Sequence, residues 1–338
     1  GVGPNRRYAA MKYMLVMLAG GIPLLIGFLL LAFNHADQAG GLAFDLPTLL
    51  GTPVSSGLEM TVFLLLLLGF AVKVPLFPLH TWLPVVAMEG PVAVTALLVG
   101  LKLGVYGLIR FAIPLAPEAA QSLHWLLAGL GTVGVLYGAV AALAQTNLRR
   151  MMAYSSLSHV GLVVLGLASF SLQGLQGAVL QLLNFSLVAG GMFLLVSFLH
   201  HRIGSSDVLS LGGAARSMPL LASLFLFLGL AGMGMPGTSG FPAELMILLS
   251  ALQVHTGAAL AALFGMVVGA GYFLSLYRRA FLGPVSSPVV ADAADLLARE
   301  RAIVLGFAAL VLLLGVMPSL FFDVVRASAE LWVARLGH

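Results

Sequence analysis

Apolar runs long enough to cross a lipid bilayer recur along the whole sequence, and they constrain the fold more than any other feature. The chain is 60% hydrophobic and only 8% charged, whereas a soluble domain has about 25% charged residues. About 20 apolar residues cross the hydrocarbon core as a helix, in which the backbone satisfies its own hydrogen bonds. The sequence therefore predicts an all-α fold, a polytopic transmembrane helix bundle.

Hydropathy predicts about nine spans within residues 1–320, which we treat as one transmembrane domain, and an amphipathic interfacial helix at residues 321–338. The predicted spans are Met11–Phe33, Leu58–Val74, Val92–Ala112, Leu126–Leu143, Met151–Phe170, Gly177–His200, Pro219–Val254, Ala258–Phe281 and Ala302–Pro318. Clusters of Pro and Gly at residues 74–93 and 232–242 cannot continue a helix. We therefore expect two broken helices.

The basic residues are distributed unevenly between the two sides that alternating spans define. One side collects Arg6, Arg7, Lys12, Arg149, Arg150, Arg202, Arg216, Arg278, Arg279, Arg299 and Arg301. The other side has Arg110, Arg326 and Arg335 together with Asp37, Asp45, Glu59 and Glu118. The positive-inside rule makes the first side cytoplasmic, so the N-terminus is predicted inside and the C-terminus outside.

Two lysines lie within or near the ends of apolar runs, Lys73 in LLLLLGFAVKVP and Lys102 in ALLVGLKLGVYGL. A lysine near mid-membrane costs at least about 2.5–3.5 kcal/mol on insertion scales, so it is kept only where it faces protein or water. The alternative is that either side chain extends to the interface. That alternative is weaker for Lys102, because apolar residues flank it on both sides.

Three further titratable residues lie in or beside predicted spans. Glu244 follows the interruption at residues 232–242, an arrangement typical of transporter ion sites, although an acid there could simply cap a helix. His159 lies about two turns into its span and could accept and release protons, or could instead be a hydrogen-bonded structural histidine. His80 is a secondary candidate in the first interruption, with an interfacial position as the alternative. Together these residues favour proton or cation movement across the membrane.

Other chemistries are not indicated. The chain has no Cys, which excludes disulfides and thiolate metal sites. No His, Asp or Glu set has metal-ligand spacing, and no glycine-rich segment follows a strand as in a nucleotide site. We therefore predict no cofactor, no metal and no nucleic-acid partner for this chain.

Four segments resemble the antiporter-like subunits of respiratory complex I and related cation/proton antiporters, in the family's order and spacing. These segments are VKVPLFPLHTWLP (Val72–Pro84), LKLGVYGLIRF (Leu101–Phe111), AQTNLRRMMAYSSLSHVG (Ala144–Gly161) and MPGTSGFPAELMIL (Met235–Leu248). The sequence is most similar to the subunit M type (subunit 4) of NADH:quinone oxidoreductase. The resemblance implies a proton-translocating subunit whose NADH, FMN, iron–sulfur and quinone sites lie in partner subunits.

The resemblance also implies roles for individual residues. Lys73 matches a position whose charge a glutamate on an earlier helix modulates, Lys102 and His159 match the central proton relay, and Glu244 matches the residue that exchanges protons with the outside. The expected partners are other membrane subunits, including neighbouring antiporter-like subunits, and the expected location is the bacterial inner membrane, where the protein is multi-pass. A subunit of a Na⁺/H⁺ antiporter or a membrane-bound hydrogenase is the alternative.

The sequence departs from the family pattern in two ways. The family has fourteen spans and this sequence begins where the sixth is expected, so we expect an incomplete copy or a split subunit. Phe185 also stands where the family usually has a histidine. Asn184 is a secondary site candidate, because it could hold water beside Phe185, and a water path can form there if Asn184 and the Gly190–Gly191 gap leave room for it.

The arginine distribution predicts the orientation of the chain. A reporter fused near Arg149 should be cytoplasmic and a reporter fused near Asp45 external, because the basic loops stay inside. Accessibility labelling in intact and permeabilised cells measures both positions, and the reverse labelling pattern would reject the orientation.

Overall fold

The computed structural model describes residues 3–100 and 102–336, and in these residues helices account for nearly all regular structure. The described residues contain one β pairing, an isolated bridge between Asn147 and Asp207. The α-helices are α1 (Arg6–Ala39), α2 (Leu46–Leu50), α3 (Ser56–Lys73), α4 (Trp82–Glu89), α5 (Val92–Gly100), α6 (Leu103–Gly107), α7 (Ile113–Leu115), α8 (Pro117–Ser122), α9 (His124–Leu143), α10 (Leu148–Leu167), α11 (Leu172–Ile203), α12 (Val208–Leu211), α13 (Pro219–Gly232), α14 (Gly240–Val254), α15 (Thr256–Phe281), α16 (Pro288–Ala291), α17 (Ala298–Val316) and α18 (Ser319–Ala334). A π-helix, Leu108–Ala112, lies between α6 and α7. The predicted all-α fold is confirmed.

Six helical segments of the described chain are long and apolar enough to cross a membrane. They are Arg6–Ala39, Ser56–Lys73, Val94–Leu115, His124–Leu143, Leu172–Ile203 and Thr256–Phe281. The pair α17 and α18, bent by 70°, would make a seventh if it formed one span. The remaining predicted spans correspond to α10 and to the shorter apolar helices α13 and α14. The count of nine spans stays a prediction.

Helix α10 occupies the centre of the bundle, since 17 of its 20 residues are buried. It packs against α9, α11, α14 and α4. The contact with α9 is close because a Cβ on Gly161 would lie 2.5 Å from the carbonyl oxygen of Gly131. The polar side chains of α10 therefore face other helices, where they need protein partners.

Both predicted interruptions are present. Residues 74–81 separate α3 from α4, and residues 233–239 separate α13 from α14. A third irregular span was not predicted, because we expected a continuous helix over Val92–Ala112. In this span α5 ends at Gly100, Lys102 occupies the N-cap position of α6, and the π-helix follows. Leu101 lies outside the described residues.

Side chains from elsewhere in the fold satisfy the backbone carbonyls that these irregular segments leave without a helical partner. The Trp82 indole donates to the Val72 carbonyl at 3.0 Å. The Ser186 hydroxyl lies 3.0 Å from the Gly100 carbonyl and 2.8 Å from the Leu182 carbonyl of its own helix, so its one proton is shared between the two. The Ile109 carbonyl lies opposite Pro114, which has no N–H, and accepts a 2.9 Å hydrogen bond from the Trp332 indole. Unsatisfied backbone groups cost several kcal/mol in lipid, so these contacts make the interruptions tolerable.

Contacts between helix termini define two opposite ends of the bundle. At the basic end, Arg149 Nη2 donates to the Gly90 carbonyl at 2.6 Å and Arg202 pairs with Glu300 at 2.5 Å. At the opposite end, α18 is tied down by Trp332 and by the 2.5 Å bond from Gln121 Nε2 to the Leu336 carbonyl. The interfacial position predicted for α18 stays a prediction, and residues 337–338 of that prediction lie outside the described residues.

Candidate functional site

Lys102 lies at the junction of α5 and α6, where the helix interruption brings it into the interior. Its side chain is 7% exposed, and the ammonium donates a hydrogen bond to the Ser156 hydroxyl of α10. The ammonium also lies 5.5 Å from the centroid of the Phe185 ring, a distance at which a cation is attracted to an aromatic face. Gly104 lets α6 lie against the end of α3, because a Cβ there would lie 2.7 Å from the Val74 nitrogen.

His159 lies between two backbone carbonyls that belong to different helices. Its Nδ1 is 2.7 Å from the Ser155 carbonyl, one turn earlier on α10, and its Nε2 is 2.6 Å from the Gly232 carbonyl. Gly232 is the last residue of α13, so its carbonyl has no helical partner of its own. A neutral imidazole has one N–H and donates to only one of the two carbonyls, whereas an imidazolium donates to both.

Glu244 is buried on α14, in the first turns after the second interruption. Its side chain is 4% exposed, and Oε1 accepts a 3.2 Å hydrogen bond from the Gln181 amide. The carboxylate also lies against the backbone of Gly234, where an added Cβ would be 2.2 Å from Glu244 Oε2. Gly234 has a φ of 69°, so both the close approach and the left-handed conformation require glycine.

A short chain of polar side chains extends from Glu244. Gln181 Oε1 accepts a 3.2 Å bond from the Asn184 amide, and Asn184 Oδ1 accepts a 2.7 Å bond from the Ser239 hydroxyl. Gln181, Asn184 and Ser239 are all fully buried. Asn184 therefore lies on the Glu244 side of α11 and belongs to the contacts of the second interruption.

Helix α11 connects these groups through residues 181–186. Gln181 and Asn184 face Glu244, Ser186 bonds the end of α5, and the Phe185 ring lies 4.8 Å from the His159 ring and 5.5 Å from the Lys102 ammonium. The phenyl ring therefore lies beside both basic groups.

A cavity of about 30 Å³ lies beside His159. Its polar lining comes from Ser155, His159 and Tyr272, and its apolar lining includes Phe185. The Tyr272 hydroxyl donates to Ser155 Oγ at 2.6 Å. About 10–15 Å³ suffices for one water that has polar partners, so the cavity has room for about two.

The Gly190–Gly191 pair lies against neighbouring helices. A Cβ at Gly190 would lie 3.2 Å from the Phe307 ring, and one at Gly191 would lie 2.6 Å from Leu228. The two glycines thus allow α17 and α13 to pack closely against α11, and a water path at this point stays a prediction.

The other two predicted residues, Lys73 and His80, form no hydrogen bond with Lys102, His159 or Glu244 among the described residues. Lys73 is the last residue of α3 and is half-buried, and it forms no ion pair with another described residue. His80 is buried among Phe77, Tyr137 and Tyr154, and its Nδ1 has no hydrogen-bond partner among the described residues.

Sequence reasoning missed Gln181 and Tyr272 as members of the site. Gln181 and Asn184 are three residues apart in an otherwise apolar span, a spacing that places both on one helix face. That pattern is readable from the sequence. Tyr272 could not be assigned in the same way, since its contact with Ser155 depends on how α15 packs against α10. Within residues 3–100 and 102–336, no group of three or more His, Asp or Glu side chains could hold a metal.

Interrupted spans that keep ionisable side chains in the interior are typical of membrane transporters. The sequence profile of the NADH:quinone oxidoreductase/Mrp antiporter transmembrane family matches residues 2–269, and the chain belongs to this family.

Individual relatives agree with this assignment. NADH-quinone oxidoreductase subunit M of Pseudomonas aeruginosa is 39% identical over 326 residues, which cover 96% of this chain and 64% of that relative. A chain of respiratory complex I from Thermus thermophilus with bound NADH superposes with a TM-score of 0.92 at 35% identity, covering 99% of this chain and 71% of that one. A chain of the membrane-bound sulfane sulfur reductase, an archaeal respiratory membrane complex, has a TM-score of 0.83 at 25% identity over 98% of this chain and 68% of that one.

The contact between Gly234 and Glu244 can be tested with a matched pair of substitutions. Gly234 and Gly237 both have positive φ values, 69° and 89°, but nothing lies within 4 Å of a Cβ at Gly237. Either change to Ala should cost about 1–2 kcal/mol of backbone strain. Gly234→Ala should lower the thermal unfolding midpoint of the chain in detergent further, because its methyl group meets the carboxylate.

The excess effect of Gly234→Ala should disappear when Glu244→Ala is present in both variants. Equal midpoints for Gly234→Ala and Gly237→Ala in the otherwise unchanged chain would show that the carboxylate does not lie against Gly234.

Proposed function

We propose that this chain is a proton-translocating membrane subunit of an NADH or ferredoxin:quinone oxidoreductase, of the subunit M type. The observation that carries the proposal is the position of Lys102, His159 and Glu244, each buried at or beside a helix interruption and each in contact with a side chain of α11. Buried ionisable groups are costly in a membrane and are kept where they act on ions.

Lys102 is the proposed entry to the central part of the proton path. Its ammonium donates to Ser156 on α10, one residue from Ser155, which lines the cavity beside His159. The Phe185 ring has no donor or acceptor, so a proton does not pass through it. We propose that water in the cavity carries the proton around the ring to His159.

His159 is the proposed central carrier. The 2.7 Å and 2.6 Å contacts with the Ser155 and Gly232 carbonyls can hold the ring in one orientation in both protonation states. Release of a proton leaves one of the two carbonyls without its donor, and the Gly232 carbonyl is part of the interruption that also contacts Glu244. Protonation of His159 is therefore coupled to the hydrogen bonding of residues 232–234.

Glu244 is the proposed terminal group, which exchanges protons with the outside. The side chains that are hydrogen-bonded in a chain to Glu244 do not exchange protons near neutral pH; they are Gln181, Asn184 and Ser239. Their hydrogen bonds orient the carboxylate and could position water. We propose that His80 and Lys73 act before Lys102 in the path. Lys73 would act through a change in its charge that other residues modulate.

We further propose that the protein works in the bacterial inner membrane as part of a multi-subunit complex. NADH, FMN, iron–sulfur clusters and quinone would be bound by partner subunits, and neighbouring antiporter-like subunits would contact this chain in the bilayer. The chain spans 64% of the length of the Pseudomonas relative. The location, cofactors and partners proposed here are therefore those of the whole complex.

A Na⁺/H⁺ antiporter or membrane-bound hydrogenase subunit is the second candidate. The observation that favours it is the family itself, which includes Mrp antiporters as well as NADH:quinone oxidoreductase subunits. Purification of the chain from its native membrane separates the two, because co-purifying redox-active peripheral subunits support the first candidate and a complex without them supports the second.

Neutralising the two ends of the proposed path should uncouple proton movement from electron transfer. In the assembled complex, Lys102→Ala and Glu244→Gln should each lower the number of protons translocated per quinone reduced by more than twofold, since each removes a titratable group. The exposed Glu330→Gln on α18 is the control for Glu244→Gln, because it removes one carboxylate outside the path, and it should leave the ratio unchanged. Ratios within twofold of the unsubstituted complex in both path variants would reject the assignment.

A further inference from the structure

A crevice of about 430 Å³ lies between the C-terminal helix α18 and the spans beside it, at the end of the bundle opposite the basic end. It is separate from the cavity beside His159, and the proton path does not use it. Its lining residues combine apolar side chains of α11 and α18 with two arginines and two aromatic residues. The ones that matter here are Tyr106, Arg110, Leu175, Val179, Trp332 and Arg335.

The two arginines need an explanation, because positive residues are disfavoured on the predicted external side. Only Arg110, Arg326 and Arg335 were assigned to that side. Arg326 pairs with Glu330 at 3.6 Å. Arg110 and Arg335 are exposed, line the same crevice, and form no ion pair with another described residue.

The carboxylates in the adjoining cavity are not an adequate counter-charge for Arg335. Glu59 and Glu118 line that cavity together with Arg335. Glu59 Oε1 instead accepts backbone hydrogen bonds from Glu118 at 2.7 Å and Ala119 at 3.2 Å, at the start of α8. Neither Glu59 nor Glu118 forms an ion pair with Arg110 or Arg335 among the described residues, so the two arginines remain available to an anion in the crevice.

The apolar part of the crevice restricts the kind of anion. Leu175, Val179 and Leu182 form a strip along α11, and Val325 faces them from α18. Tyr106 and Trp332 are residues enriched at the membrane–water boundary. A ligand that matches both parts needs an acidic head and long hydrocarbon chains.

We propose that this crevice binds an anionic phospholipid, with its phosphate between Arg110 and Arg335 and its acyl chains along the α11 strip. Guanidinium groups bind phosphate through paired hydrogen bonds, and basic pockets between membrane helices are suited to acidic lipid headgroups. A free phosphate would leave the apolar strip uncovered.

The bound lipid would join two elements that meet at this point. Arg110 belongs to the π-helix of the span that carries Lys102, and Arg335 follows directly on α18. The lipid would thus add to the Trp332–Ile109 hydrogen bond in holding α18 against that span.

The position of Trp332 in the crevice provides a local probe. The full chain is reconstituted in vesicles of ordinary phosphatidylcholine to which one brominated lipid is added, either brominated phosphatidylglycerol or brominated phosphatidylcholine. Bromine on the acyl chains quenches the fluorescence of nearby tryptophan. The chain has three tryptophans, so the Trp332 signal is taken as the difference from the Trp332→Phe variant. Quenching by brominated phosphatidylglycerol should exceed quenching by brominated phosphatidylcholine at equal mole fraction.

Each arginine near a membrane surface contributes on the order of a fivefold preference for anionic lipid. Arg110→Gln and Arg335→Gln should each reduce the preference by about that factor, and the double variant should abolish it. Arg326→Gln is the matched control, because it removes one charge from α18 outside the crevice, and it should keep the preference.

Three results would overturn the proposal. One is equal quenching by the two lipids in the unsubstituted chain, and another is a preference that survives in the double variant. The third is reversal of the quenching by excess soluble glycerol phosphate, which would indicate a site for free phosphate. None of these measurements depends on proton translocation, so the proposed function is tested separately.

Discussion

The structure depends on one constraint, which is that a backbone carbonyl freed by a helix interruption inside lipid must find a donor. Four such carbonyls are satisfied by side chains distant from them in the sequence or on another helix. Trp82 bonds Val72, Ser186 bonds Gly100, Trp332 bonds Ile109 and His159 bonds Gly232. These contacts fix how the interrupted spans pack around α10 and α11.

The same constraint explains why the titratable residues gather where the helices are interrupted. Three of the four donors, two indoles and a hydroxyl, do not titrate near neutral pH, but the imidazole of His159 can also exchange a proton. Lys102 lies at an N-cap position and Glu244 follows a glycine-rich turn, so both side chains leave the regular helix surface near the centre of the bundle. The glycines at 104 and 234 admit the close backbone approaches that these positions require.

The sequence was informative where local chemistry decides the structure. Clusters of Pro and Gly located both predicted interruptions, and the charge distribution separated the two ends of the bundle. It was less informative where packing decides. The π-helix and the discontinuity at Lys102 were missed, because residues 92–112 contain no proline and the span reads as one apolar run. Their stability comes from distant donors, Ser186 and Trp332.

The Gly190–Gly191 pair is another case in which packing decides the structure and the sequence is less informative. A glycine pair in a span indicates a close approach, but the sequence does not say whether water or a neighbouring helix approaches. Here the groups that approach the two glycines are the side chains of Phe307 and Leu228, from neighbouring helices. The polar face shared by Gln181 and Asn184 is readable from the sequence, but its partner, the Glu244 carboxylate of another helix, is not.

The central claim is that His159 both caps the interrupted helix and carries the proton, and His159→Gln in the assembled complex tests it most directly. The glutamine amide can still donate to the Gly232 carbonyl but has no titratable proton. The measurement is the number of protons translocated per quinone reduced, together with the amount of assembled complex. We expect normal assembly with a ratio lowered by more than twofold. Normal assembly with an unchanged ratio would contradict it, because His159 would then have only the structural role.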